Sequence, residues 1–236
     1  MMPRQFALPF ALSQDYAESS FLHAPCNEAA LIWLAQTQDW PMHRLALWGR
    51  EGSGKSHLLH IWANRQGCAV LRGPGLRFTG PEPVAAAVDD ADYAPEADLL
   101  HLLNAMAELG RPVLIAARAA PARWPTVLPD LASRLRAMTT AEILPADDDL
   151  LRALLSRLLR ERQLRVTDEM QSWLRLRLPR TQQAMYQAAA QVDRLTLLFG
   201  RGMTMQVARA VVAALQDPPA LDEDFASALP VSVGLL

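Results

Sequence analysis

The stretch from Arg44 to Ala63 limits what this chain can fold into more than any other. Arg-Leu-Ala-Leu-Trp reads as a short strand, Gly-Arg-Glu-Gly-Ser-Gly-Lys-Ser as a loop, and His-Leu-Leu-His-Ile-Trp-Ala as the start of a helix. Glycines at 49, 52 and 54 free the loop backbone to adopt conformations that a side chain forbids, so several N–H groups can turn inward. The helix that follows presents the positive end of its dipole to the same point.

Inward amides and a helix N-terminus together make a cradle for phosphate. Lys55 adds a mobile positive charge for the outer phosphates, and Ser56 adds a hydroxyl that can ligate magnesium. A glycine-rich turn ahead of a helix can also be simple punctuation. The context favours the cradle: Leu45, Ala46, Leu47 and Trp48 precede the loop, and Leu58, Leu59, Ile61 and Trp62 follow it at helical spacing. Gly49, Gly52, Ser53, Gly54, Lys55 and Ser56 are therefore expected to hold a nucleoside di- or triphosphate.

With 236 residues the chain can bury a full core, as one large domain or one domain with a small companion. The formal charge of −2 gives no reason to expect it to coat nucleic acid by itself, so DNA is expected only indirectly, through a partner. Cys26 and Cys68 match neither a metal spacing nor a disulfide framework and read as buried thiols in a reducing compartment, hence a cytoplasmic location. Pro3 and Pro9 interrupt the apolar N-terminus, and no apolar run approaches the ~20 residues of a membrane helix, so no membrane association is expected.

Residues 1–12 read as an extended tail, with too many prolines for a helix and too many apolar side chains for a solubilising arm. A helix is expected from Asn27 to about Gln36. Further strands are expected at Cys68–Leu71, Val84–Val88, Pro112–Ala117 and Thr140–Leu144, and helices at Glu96–Leu109 and Thr126–Arg136. Alternating strands and helices imply an α/β domain over 13–145 with a five-stranded parallel sheet. Beyond Pro145 the pattern turns all-helical: a leucine-faced helix after Asp147–Asp149, then helices near 168–177, 181–198 and 204–216. Leu174, Leu176 and Leu178 alternate, which leaves a strand open there. A small helical lid is expected over 146–216 and a loose acidic tail over 217–236. Asp89 and Asp90 close the third strand, where an acid lies near the magnesium of a phosphate-loop site, with a turn or cap as the other reading.

The layout resembles the AAA+ ATPases of the DnaA replication-initiator type, in particular the DnaA-related regulators without a separate DNA-binding domain, over roughly residues 1–215. Phe21, Leu22 and Asn27 are similar to the segment that closes over adenine, with ordinary core for Phe21 and a helix cap for Asn27 as the alternatives. The resemblance makes ADP or ATP with Mg2+ the cofactor, Ser56 and Asp89 the metal contacts, and Asp90 the acid near the attacking water. Leu128–Leu135 is similar to the segment with the arginine finger. That gives Arg134, or its neighbour Arg136, a role on a partner's nucleotide, and gives Arg180 the sensor 2 role. The sensor 1 position departs from the pattern: Val-Leu-Ile-Ala-Ala-Arg offers Ala116, Ala117 and Arg118, and loss of a polar donor there lowers the expected turnover. Gln5, Phe6, Leu8, Pro9 and Phe10 are similar to a hexapeptide that docks on the DNA polymerase sliding clamp.

The resemblance thus implies a regulator tethered to the clamp that promotes ATP hydrolysis on DnaA, with nucleotide-dependent self-association as a further expectation and weak ATPase activity of its own at most. The competing expectations are an autonomous phosphate-loop ATPase or kinase, and a DnaA-like or helicase-loader AAA+ module that binds DNA directly.

Overall fold

The computed structural model describes residues 16–81, 84–199 and 202–216. Five strands, β1 (Arg44–Trp48), β2 (Val70–Arg72), β3 (Ala86–Asp89), β4 (Val113–Ala117) and β5 (Thr139–Glu142), form one sheet in the order β2-β3-β4-β1-β5. Every pairing is parallel, with Trp48 opposite Ala117 on one side and Glu142 on the other. The helices between them are α1 (Glu28–Ala35), α2 (Lys55–Gln66), α3 (Glu96–Glu108) and α4 (Pro129–Arg136). The expected α/β class with a five-stranded parallel sheet is the one observed.

Period-two alternation decides which helices cover which face. Leu45 and Leu47 of β1, Ala87 of β3 and Leu114 and Ala116 of β4 pack with Leu58, Leu59 and Trp62 of α2 and with Ala30 and Leu34 of α1. Ala46, Val88, Val113 and Ile115 point the other way, into Leu99, Leu103 and Met106 of α3 and Leu131 and Leu135 of α4. Both faces are therefore dry, as a parallel sheet requires. The chain leaves β1 through α2 for the β2 edge and reaches the other side of β1 only at β5. This places a crevice at the carboxyl end of β1, where such sheets take ligands.

Some boundaries move for local reasons. Val84 is half exposed, and the strand begins at Ala86 and includes Asp89. α4 begins at Pro129 instead of Thr126, because Pro129 keeps the preceding Leu128 extended (ψ 115°); just outside the helix the Glu96 carboxylate accepts the N–H groups of Val127 (2.9 Å) and Leu128 (2.7 Å). β5 ends early as a ladder, but Ile143 N–H still donates to Trp48 O at 2.8 Å.

The chain divides into two compact units. One runs to Leu154 and includes Arg180–Gln183; the other comprises Leu155–Pro179 and the chain from Ala184. The second unit is helical, drawn from α5 (Asp148–Glu161), α6 (Asp168–Arg175), α7 (Gln182–Phe199) and α8 (Met205–Gln216). Its core is Leu155, Leu158 and Leu159, Leu174 and Leu178, Ala188 and Val192, and Val207 and Val211. Leu174 lies in α6 and Leu176 is 79% exposed in the turn after it, so the alternation of leucines there is not a strand. Among the described residues no helix is long and apolar enough to cross a membrane.

Candidate functional site

The phosphate loop occupies residues 49–54, between the last residue of β1 and the first of α2. A Cβ on Gly49 would overlap the Ile143 carbonyl oxygen, so only glycine lets the loop leave β1 this close to the chain beyond β5. α2 opens behind Gly54 with no side chain capping it, which leaves its first N–H groups facing the loop. Lys55 is buried, and its Nζ donates to the carbonyls of Gly49 and Arg50, each at 2.8 Å. Burial holds its pKa below the ordinary lysine value; Asp89 opposes the shift, Arg118 adds to it, and Asp90 and Asp92 oppose it further.

Ser53 Oγ is buried and has no hydrogen-bond partner among the described residues. An unmet hydroxyl inside a glycine-lined loop, beside a lysine held by two carbonyls, fits the oxygens of a phosphate group. Ser56 sits in the first turn of α2, on the same rim.

Across the crevice β3 ends at Asp89, which is buried and opposite Arg72 of β2. Its Oδ1 accepts the N–H of Asp90 at 3.1 Å, and Asp90 takes a left-handed conformation (φ 50°) that turns the chain sharply out of the strand. Gly73 makes that turn possible from the other side, since a Cβ there would overlap the Asp90 carbonyl. The fold thus brings Asp89 and Asp90 within electrostatic reach of Lys55. Among the described residues no three His, Cys, Asp or Glu side chains gather to hold a metal alone. A magnesium ion commonly takes one or two protein contacts and completes its shell with phosphates and water, and Ser56 and Asp89 are the residues that fit that role.

The segment expected at the base lies along α2. Phe21 is half-buried, packs edge-on against His57 at 5.2 Å between centroids, and would touch a Cβ placed on Gly54 at 3.4 Å. Asn27 is buried and precedes α1 without capping it; its side chain instead donates to Leu22 O at 2.9 Å and accepts from Ala24 N–H at 3.1 Å. Both of its polar ends are thereby engaged in holding the 22–27 turn. Leu144 N–H donates to Cys26 O and ties that turn to the chain after β5.

Arg134 is not at this site. α4 ends two residues before β5, and Thr139 pairs with Leu45, so Arg134 lies at the opposite, amino-terminal edge of the sheet. There its charge adds to burial in lowering the pKa of Arg44, the first residue of β1. Arg134 is half-buried, Arg136 exposed, and among the described residues neither forms an ion pair with an acid. Arg180 is exposed and donates to Asp148 Oδ2 at 2.7 Å. Gln5, Phe6, Leu8, Pro9 and Phe10 lie outside the described residues.

Three features of the site were not expected from the motif. Gln182 Nε2 donates to Ser53 O at 3.4 Å, from the start of α7. Tyr16 stacks on His60 with centroids 3.9 Å apart, a contact that only folding reveals. Arg118, at the tip of β4, reaches Glu51 inside the loop, with Nη1 3.5 Å from Oε2. For Arg118 a signal existed: the residue after the fourth strand of such a sheet emerges beside the loop after the first.

No protein-family model matches the sequence. Among solved structures, the fold is similar to domain III of the replication initiation protein DnaA from Thermotoga maritima, at 16% identity and a TM-score of 0.70, covering 89% of this chain and 100% of that one. It is similar to the replication initiator DnaA bound to AMPPCP and single-stranded DNA, at 16% identity and 0.63, over 84% of this chain and 69% of that one. A point mutant of Thermotoga maritima RuvB gives 16% and 0.63, over 84% and 72%. At these identities the likeness establishes the fold, an AAA+-like α/β unit followed by helices.

Proposed function

We propose that this chain is a nucleotide-binding regulator of chromosomal replication initiation, of the Hda type: tethered to the sliding clamp by its N-terminal tail, it promotes ATP hydrolysis on DnaA. The observation that carries this reading is the place of Arg134. It stands at the amino-terminal edge of the sheet, half-buried, with no acidic partner among the described residues. Roughly 15 Å of strand separate that edge from the chain's own phosphate loop. A guanidinium so placed serves phosphates on a neighbour, where stabilising the charge that builds up in phosphoryl transfer is worth orders of magnitude in rate.

The fold likeness to DnaA domain III supports the choice of partner. β4 ends in Ala116 and Ala117, which leaves the chain's own site able to hold ADP or ATP with little to orient a water. The chain therefore acts on its partner's nucleotide more than on its own.

The test is a reconstitution with DnaA, clamp-loaded DNA and this protein, measuring phosphate released from DnaA-bound ATP. Arg134→Ala is expected to lower the stimulated rate by about 100-fold or more, while calorimetry finds its ADP affinity unchanged. Normal stimulation by Arg134→Ala together with failure of Arg136→Ala moves the finger to Arg136. Normal stimulation by both overturns the regulator reading.

A further inference from the structure

Arg118 leaves β4 where Ala117 pairs with Trp48, so it emerges beside the first residue of the phosphate loop. Its backbone N–H donates to Asp92 Oδ2 at 3.3 Å, which steadies its base, and at its tip the guanidinium carbon lies 5.6 Å from the centroid of the Tyr93 ring. The guanidinium itself pairs with Glu51, an acid within the loop, at 3.5 Å, and both side chains are at least half exposed. The positive charge of Arg118 is also felt at Lys55. A cation therefore sits at the mouth of the cradle, occupied by a carboxylate of the cradle itself.

We propose that Arg118 is a binding residue for the third phosphate of a nucleoside triphosphate, and that Glu51 competes with that phosphate for it, so that the pair sets the preference between tri- and diphosphate. The inference rests on the nucleotide site above. An exposed ion pair is weak and readily exchanged. A terminal phosphate carries more charge than a carboxylate and matches the arginine fork with two parallel hydrogen bonds. A diphosphate ends one group short and leaves Arg118 on Glu51. The other reading is an ion pair that merely tacks the loop to β4; it predicts equal effects on both nucleotides.

The two readings separate in a fluorescence titration of the full chain with ADP and with AMPPCP, each with magnesium. Arg118→Ala is expected to lose about 10-fold or more in AMPPCP affinity while its ADP affinity stays within about threefold. Arg118→Lys, which keeps the charge without the fork, should fall between it and the wild type. Glu51→Gln should gain severalfold for AMPPCP over ADP, and that gain should vanish in the Arg118→Ala background, because the acid acts through the arginine. An unchanged AMPPCP-to-ADP ratio in Arg118→Ala, with both nucleotides bound by the wild type, overturns this proposal and leaves the nucleotide site standing. Failure of the wild type to bind either nucleotide removes both.

Discussion

Ser53 buries a hydroxyl that none of the described residues satisfies, and an unmet buried group of this kind costs roughly 1–3 kcal/mol. Ser53→Ala should accordingly leave the nucleotide-free protein as stable or up to about 1 kcal/mol more stable, while ADP affinity falls severalfold; urea midpoints and calorimetry check the two halves. His60 offers a pH signature. Burial, helped by Arg72 and opposed by Asp89, holds it below its ordinary 6.5. The unfolded chain takes up the proton first, so this contribution is full above 6.5 and is lost as pH falls through the folded value. His60→Phe keeps a ring against Tyr16 without the titration, and should shrink the drop in urea midpoint between about pH 7.5 and about pH 5.5. The residues of the phosphate loop were legible because Gly52, Gly54 and Lys55 answer a local backbone or charge requirement, although the reason for Gly49, the Ile143 carbonyl, is a distant one. Tyr16 on His60 was not, and for Arg118 only its place beside the loop was, since the contacts themselves exist only once folding brings distant segments together.

At the scale of elements, β3 and the chain after β2 depend on each other through one close approach. Gly73→Ala would push a methyl into the Asp90 carbonyl, and backbone must yield on one side or the other. A loss of about 2–4 kcal/mol is expected, with weaker magnesium-dependent ADP binding because Asp89 moves as well; thermal melts with and without Mg-ADP measure both. β4 carries a second expectation. With alanines at its tip, the isolated protein should hydrolyse ATP very slowly and Asp90→Asn should change that rate little; a brisk rate that collapses in the mutant, followed by phosphate release, would contradict it. Five strands and the helices between them could be read from apolar runs and their punctuation. The start of α4 is set by Pro129, which keeps Leu128 extended and opens the helix at its own position; what the sequence could not show is that Glu96, from another helix, accepts the N–H groups of Val127 and Leu128 just ahead of it.

For the whole molecule, the segment from Gln5 to Phe10 and the nucleotide site should fail separately. Gln5→Ala with Leu8→Ala should abolish capture by the sliding clamp and leave ADP affinity and melting temperature as they were, and fusing this mutant to the clamp should restore part of its effect on DnaA by raising effective concentration. Pull-downs and melts decide the first point, and the DnaA assay the second. The place of Arg134 has one more consequence. Because it projects from one edge of the sheet while the phosphate loop opens at the other, a contact in which one copy serves the next joins two unlike surfaces. Such joints are head-to-tail and do not close on themselves in a pair. A row built from them has a direction: one terminal subunit offers an arginine with no nucleotide to meet, and the other holds a nucleotide that no arginine reaches.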